Sequence, residues 1–268
     1  MNGMAHRCHS TGKQSVHLPQ AGSIRSLEEI SFNAWPALNT LYYDGWLLRM
    51  ADGNTRRANS VNSIYPSSLP LEEKVRHCET IYAAHGLTTV FKITPVAQPA
   101  DLDQMLERLS YRREAVTSVQ LLDIADLHPA VQSASVSIWD TPNDEWLASF
   151  CAFNGVSIER RRIMEQMLAK IVPSTAYARI KHGEETVAVG LAVREREHIG
   201  LFDIVTAPQW RGQGFGTQLI RSLLQWGYED GAQQAYLQVM TDNAAALALY
   251  AKLGFSETYQ YWYRVKNV

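Results

Sequence analysis

No apolar run in the 268 residues approaches the ~20 that a membrane-spanning helix needs, so no membrane segment is expected. Nor is positive charge in excess. Lysine and arginine total 25 against 27 aspartates and glutamates, a formal net charge of -2 and no basic surplus for binding nucleic-acid phosphates. Cysteine is scarce: Cys8, Cys78 and Cys151 lie far apart, and the odd count argues against a disulfide framework and for a reducing, cytoplasmic setting. The first stretch, "MNGMAHRCHSTGKQSVHLPQAGS", lacks the apolar centre of a signal peptide. Its "HRCH" cluster has no further ligands nearby to complete a four-coordinate metal site, so no metal is expected and residues 1–24 read as a disordered tail.

What is present suits packed cores. The chain is 46% hydrophobic and 10% aromatic, and its length suggests two domains. "SLEEISFNAW" reads as a helix with Ser26 as N-cap and Glu29 three residues on. "LYYDGWLLRMADGNTRRANSVNSIYP" reads as two strands around the turn Asp52-Gly53-Asn54. "LPLEEKVRHCETIYAAHG" has Pro70 near its start, acids in its first turn and Gly86 after its end, which marks a helix. Strand "LTTVFKITP", helix "ADLDQMLERL" and strand "REAVTSVQLLDI" follow. A break falls at "ADLHPAVQSA", and the second half then reads as two helices, three strands, helix, strand, helix and a terminal strand "FSETYQYWYRV" of near-alternating aromatics. This order predicts an α/β or α+β fold, divided into the tail (1–24), a first domain (25–125), a linker (126–133) and a second domain (134–268).

The two halves share an order. Laying "HGLTTVFKITP … LDQMLERLSYRREAV" over "DGAQQAYLQVM … AALALYAKLGFSETY" puts Gly86 on Gly231, Phe91 on Tyr236, Leu109 on Leu253 and Tyr111 on Phe255. A duplication explains this, as does a chance match of two helix-strand-helix-strand runs. The first half carries "PSSLPLEEKV" where the second has "PQWRGQGFGTQL", so a duplicated first copy would be degenerate, without the glycine loop.

That loop is the strongest local signal. A hydrophobic strand, "IGLFDIV", runs into "VTAPQWRGQGFGTQLI", and Leu219, Ile220, Leu223 and Leu224 then fall at helical spacing. The first N–H groups of a helix lack internal partners and carry partial positive charge, while glycines let an anion approach the backbone. Gly212, Gly214 and Gly216 are spaced G-x-G-x-G, unlike the dinucleotide fingerprint, and no lysine follows as a nucleoside-triphosphate loop requires. A pyrophosphate site of another kind, led by Arg211, and a tight strand-to-helix turn are the readings left open.

"VTAPQWRGQGFG" resembles the acyl-coenzyme A loop, R/Q-x-x-G-x-G/A after a strand, of the GNAT N-acetyltransferase family. "LQVMTDNAAALALYAKLGF" is similar to that family's second signature, and the likeness covers residues 134–268 most strongly. The ending "YQYWYR" resembles a bacterial subgroup in which a degenerate first half precedes an active one. The resemblance implies a mixed, mostly antiparallel sheet whose central parallel strands, "GLFDIVTA" and "AYLQVM", splay apart around acetyl-CoA. It implies that the pantetheine arm pairs along Ile204, Val205 and Thr206. The pyrophosphate would rest on the amides of Arg211, Gly212, Gln213, Gly214, Phe215, Gly216 and Thr217, with Asn243 as a further coenzyme contact or a helix cap. Asp242 is the alternative cap.

Acetyl transfer to an amine needs proximity, a neutral amine, a donor for the oxyanion and a proton for the leaving thiolate. The resemblance implies that a backbone N–H from a bulge in "DIVTA" serves the oxyanion and that Tyr250 serves as the acid; otherwise Tyr250 is a core aromatic. The base is less direct: Gln238 stands where some members carry glutamate, which leaves Asp203 as the candidate and His198 as a further one. Trp35, Trp46, Arg56 and Arg57 are candidates to line a cleft facing the second half, where an arginine pair would suit a carboxylated acceptor; a solvated hairpin face is the favoured reading of these charges. Every coenzyme motif lies after Ala134, so the second half is expected to bind acetyl-CoA by itself. The leading expectation is a soluble enzyme acetylating a small-molecule amine, with no nucleic-acid or membrane partner and self-association left open. The alternatives are a protein or peptide N-terminal acetyltransferase and a non-catalytic acyl-CoA-binding regulator.

Overall fold

A computed structural model describes residues 20–124 and 136–266. The linker assigned to 126–133 and the "HRCH" cluster therefore lie outside the described residues. Helix α1 (Ala21–Ala34) begins five residues before Ser26, with Gln20 at its N-cap position and no side-chain cap, so Ser26 is inside the helix and residues 21–24, expected in the tail, are helical. Strands β1 (Asn39–Tyr43) and β2 (Trp46–Met50) form a hairpin, and β3 (Ser60–Asn62) pairs antiparallel to β2. Three strands thus replace the expected two. The additional turn is Asp44-Gly45, with φ of 40° and 80°, the doubly left-handed turn that matches hairpin twist. Glycine is required there, because a Cβ on residue 45 would fall 2.1 Å from the Pro66 carbonyl oxygen.

The remaining elements follow the expected order: α2 (Leu71–Ala84), β4 (Val90–Ile93), α3 (Leu102–Arg108) and β5 (Arg112–Asp123). The second half adds β6 (Val136–Trp139), a short strand not expected, then α4 (Asp144–Asn154), α5 (Ile158–Leu168), β7 (Ser174–His182), β8 (Glu185–Glu195) and β9 (His198–Thr206). It closes with α6 (Phe215–Glu229), β10 (Gln234–Met240), α7 (Ala244–Lys252) and β11 (Ser256–Val265).

Among the described residues eleven strands form one sheet, in the order β1-β2-β3-β4-β11-β5-β10-β9-β8-β7-β6. Of the strand pairs among the described residues, only β3·β4 and β9·β10 are parallel, so the sheet is mixed and mostly antiparallel, as expected. Side-chain alternation divides its faces. On β8, Val189, Leu191 and Val193 join one core with Trp146 and Phe150 of α4 and Ile24, Leu27 and Ile30 of α1. Ala188 and Ala192 point the other way, into a core with Leu219, Ile220, Leu223 and Leu224 of α6. A third core, built on Trp46, Phe91 and Tyr111, packs under α2 and α3. The first of these cores draws on both halves of the chain. Tyr236 of β10 and Tyr259, Tyr261 and Tyr263 of β11 all face it.

The central strands are exchanged. β5, from the first half, pairs with β10, and β11, from the second, pairs with β4 and β5. This arrangement argues against a free-standing second half. Residues 134–268 alone would leave β10 and β11 without the strand between them, and edge strands with unpaired backbone groups are unstable or sticky. Cleaving the chain between residues 125 and 135 should yield two fragments that stay together and melt in one transition, while either fragment expressed alone should not fold. Size-exclusion chromatography and thermal melts of the cut protein check this; separation into two folded pieces would overturn it.

Candidate functional site

β9 and β10 run parallel through four residue pairs, Gln234↔His198 to Leu237↔Leu201, and then part, although β10 continues to Met240 and β9 to Thr206. The divergence begins beside a bulge. Between the pairs Leu191↔Phe202 and Val189↔Val205, Asp203 and Ile204 on β9 oppose Gly190 alone on β8. Asp203 has φ of 52°, and the side-chain alternation changes phase across it. Ile199 and Leu201 belong to the α6 face and Phe202 to the other, whereas after the bulge Ile204 packs on the α6 face and Val205 on the other. One inserted residue thus turns the strand and aims Asp203 at the gap.

A cavity of about 570 Å³ occupies the gap, lined from the second half by Asp203, Ile204, Gln238, Asn243 and Tyr250. Thr55, Arg56 and Arg57 line it from the first half, and Tyr261 and Tyr263 from the exchanged strand β11. Burial pushes the Asp203 carboxyl up to about 6, with the Arg57 charge pulling weakly the other way. Its Oδ2 is enclosed and has no hydrogen-bond partner.

Arg57 lies with its guanidinium 4.9 Å from the Trp35 ring centre and 6.0 Å from that of Phe202, and the two rings stack at 6.1 Å. Trp35 therefore supports the wall from beneath. Trp46 does not reach it: that indole is buried in the first-half core and donates to the Gln98 carbonyl at 2.8 Å. Arg56 reaches the rim, but its guanidinium is engaged by Glu114 at 2.5 Å.

Gln238 is fixed between halves. Its Nε2 donates to the Ser31 hydroxyl of α1, and its Oε1 accepts from the Tyr261 hydroxyl at 2.9 Å. His198 stands at the opposite end of β9 from the bulge, where burial lowers its pKa and keeps it neutral, so it is not brought to the cavity. Tyr250 is: its ring meets Phe255 edge-on at 5.9 Å, and burial raises its pKa and keeps the hydroxyl protonated. Asn243 caps α7, its Oδ1 accepting from Ala246 N–H at 3.1 Å, which settles the choice against Asp242.

The glycine loop enters α6 with Gly214 at the N-cap position, φ of 87° and no capping side chain. Space in front of it is open, since a Cβ at Gly212 or Gly214 would meet nothing within 4 Å. Arg211 donates from Nε to the Thr206 carbonyl at 3.3 Å, tying the loop to the end of β9. His182, Trp210 and Phe215 brace the loop from behind, with ring centres 4.8 to 5.8 Å apart. Ile204, Val205 and Thr206 have β8 on one side and the gap on the other.

Sequence reasoning missed Tyr261 and Tyr263 as wall residues. The alternating aromatics of the last strand are visible in the sequence, but the face they present depends on the exchange with β5. Among the described residues no helix is long and apolar enough to cross a membrane.

Comparison with known proteins supplies the family. Residues 21–264 match the family described as "Probable histone acetyltransferase Rv0428c C-terminal". The chain is 32% identical over 247 residues to an uncharacterized N-acetyltransferase, YobR, of Bacillus subtilis, covering 91% of this chain and 99% of that one. It is 28% identical over 243 residues to the "Probable histone acetyltransferase Rv0428c" of Mycobacterium tuberculosis, covering 88% of this chain and 72% of that one. A solved GCN5-related N-acetyltransferase from Kribbella flavida shares the fold with a TM-score of 0.68 at 15% identity, covering 94% of this chain and 97% of that chain.

The electrostatics of the cavity are directly measurable. The Asp203 carboxyl should titrate near 6 in a carbon-detected NMR experiment on the free protein, and Arg57→Gln should move the midpoint upward by removing a neighbouring positive charge. A midpoint in the ordinary carboxylate range would mean that Asp203 is well solvated.

Proposed function

The chain belongs to the Rv0428c C-terminal acetyltransferase family and is a GNAT-type N-acetyltransferase; from this we propose that it moves an acetyl group from acetyl-CoA to a primary amine of a small molecule, by direct attack with both held in one cleft. The observation that carries the reading is the meeting of Asp203 and Tyr250 in the cavity where β9 and β10 part.

The chain's own groups suit the coenzyme. Open space before Gly212 and Gly214, at an uncapped helix N-terminus, is a cradle that side chains would fill and a pyrophosphate would enter. The amides of Arg211 through Thr217 are the donors in this reading. The gap-facing edge of β9 at Ile204, Val205 and Thr206 offers backbone groups to the pantetheine amides. When bound, acetyl-CoA supplies an acetyl group activated as a thioester.

The remaining work falls to protein residues. Asp203 is ionised at neutral pH and attracts the incoming ammonium. Enclosure disfavours both charges, raising the carboxyl pKa and lowering that of the amine, so the proton passes to Asp203 more readily than it would in water. In this reading a backbone N–H at the bulge, where Asp203 has a φ of 52°, polarises the reacting carbonyl. Tyr250, held protonated by burial, supplies the proton to the departing thiolate. Gln238 does not serve as the base, since a carboxamide takes up no proton at neutral pH; its amide is held by Ser31 and Tyr261.

We also read the strand order as an internal duplication. Outward from the centre, β11-β4-β3-β2-β1 and β5-β10-β9-β8-β7 show the same succession of antiparallel, parallel, antiparallel and antiparallel pairings. On that reading residues 25–125 are a degenerate copy that serves as a cleft wall for the catalytic copy at 134–268.

Gly214→Asp should abolish acetyl-CoA binding in calorimetry, because the new carboxylate projects into open space where the pyrophosphate would lie; the protein should still fold, with a melt lowered modestly by the strain of a side chain at a φ of 87°. Normal affinity would remove the loop from the site. Tyr250→Phe should bind acetyl-CoA normally but turn over about 10²–10⁴-fold more slowly in a thiol-release assay, the usual cost of losing a general acid. Equal single-turnover rates would make Tyr250 a packing residue.

A further inference from the structure

The cavity holds two charges that are not paired with each other. Arg57 and Asp203 both line it, yet no ion pair within 4.0 Å involves either among the described residues. The neighbouring Arg56 has an anionic partner in Glu114, and the core arginine Arg49 spends its donors on the carbonyls of Arg57, Phe32 and Trp35. Arg57 differs. Its guanidinium carbon lies near the rings of Trp35 and Phe202, which attract its charge but do not take up its N–H donors as an anion would. Its charge also reaches Asp203, Tyr236 and Tyr263, the titratable groups that pack around this end of the cavity.

A guanidinium oriented by two rings is a forked donor awaiting an oxyanion. The carboxylate across the cavity has an enclosed oxygen without a donor. The two sites complement a molecule that carries both signs. We infer that the acceptor is an amine bearing a carboxylate, of the amino-acid class, with Asp203 receiving the ammonium and Arg57 the carboxylate. This rests on the N-acetyltransferase reading of the cavity and adds its substrate class. It also gives the first half a definite role, since Arg57, together with its platform Trp35, is that half's contribution to specificity. The wall it builds selects for a charge that the second half does not itself recognise.

The experiment uses the full-length protein, acetyl-CoA and matched probes: a panel of free amino acids, each alongside the amine that lacks its α-carboxylate and alongside an amine bearing a phosphate. Wild-type protein should prefer at least one amino acid over its decarboxylated partner by about 10-fold or more in kcat/KM. Arg57→Gln should lower kcat/KM for the favoured amino acid by about 10- to 100-fold, the range expected for losing a charged hydrogen bond, and so remove most of the preference. Arg57→Lys should fall between, because it keeps the charge and loses the fork. Thermal melts confirm that the variants fold, and calorimetric titration with the favoured amino acid gives a second readout that does not depend on turnover.

Equal kcat/KM for amino acid and plain amine would overturn the assignment, as would an equal loss for both in Arg57→Gln. A preference for the phosphate-bearing amine would overturn the carboxylate class. Arg57-dependent amino-acid binding without any acetyl transfer would support the zwitterion site and sink the enzymatic reading, so the two failures are distinguishable.

Discussion

The backbone ladder between β5 and β11 is the contact on which the rest of the molecule depends. It sits in the middle of the sheet and joins strands from opposite halves, with register from Ser256↔Leu121 to Val265↔Arg112. Because β5 goes on to pair with β10, and β11 with β4, each half completes the other's sheet. The cavity inherits this. Tyr261 and Tyr263 reach the wall because β11 crosses to the first half, and Arg57 faces Asp203 because the two halves are held in one hydrogen-bonded plane. Neither half presents the complete cavity without the exchange.

A buried polar network reinforces the join from the α1 face. Glu28 accepts from Lys92 at 2.5 Å and from the Tyr259 hydroxyl at 2.8 Å, and the Lys92 ammonium lies 4.0 Å from the centre of the Tyr261 ring. A buried ion pair is a poor source of net stability, since desolvation consumes most of the attraction, but removing one partner is costly. Its effect is on uniqueness. The charges can be satisfied in one relative position of α1, β4 and β11, and Ser31, one helical turn after Glu28, then reaches Gln238. The side chain that replaces a candidate base is thereby used to fasten the two halves at the edge of the cavity.

Asp203 concentrates the local cost of the site. A non-glycine residue at φ of 52° carries backbone strain of about 1–3 kcal/mol, and its enclosed carboxylate adds a desolvation penalty. Packing around Phe202 and Val205 holds the bulge, with Tyr236 edge-on to Phe202 at 6.0 Å and Gly200 leaving room for the Tyr236 ring. Removing the inserted residue would restore a regular β9, and with it the alternation of side chains that now changes phase at the bulge. The proposed function draws on a feature that the sheet alone would not favour.

The sequence by itself determined the local features. The glycines of "RGQGFG" and the strand before them mark an open helix N-terminus, because φ above zero and an uncapped first turn are properties of adjacent residues. Most of the helix and strand order and the likeness that points to Tyr250 and Asp203 are legible for the same reason, whereas the choice of Asn243 over Asp242 as the cap of α7 came from the folded geometry. The Asp44-Gly45 turn is equally local, but it stands close to Asp52-Gly53-Asn54, and two such signals in one stretch read as a single hairpin. What only the tertiary structure decided were relations between distant residues. Strand exchange is invisible in a linear pattern, since β5 and β11 have the same alternation whichever partner they take. Trp35, Trp46, Arg56 and Arg57 look alike as a cluster of aromatic and basic residues, yet Trp46 is buried in the first-half core, Arg56 is neutralised by Glu114, and Arg57 alone is left facing a carboxylate 146 positions away. That separation was decided by which groups found partners on folding, and partners are set by contacts that no local stretch encodes.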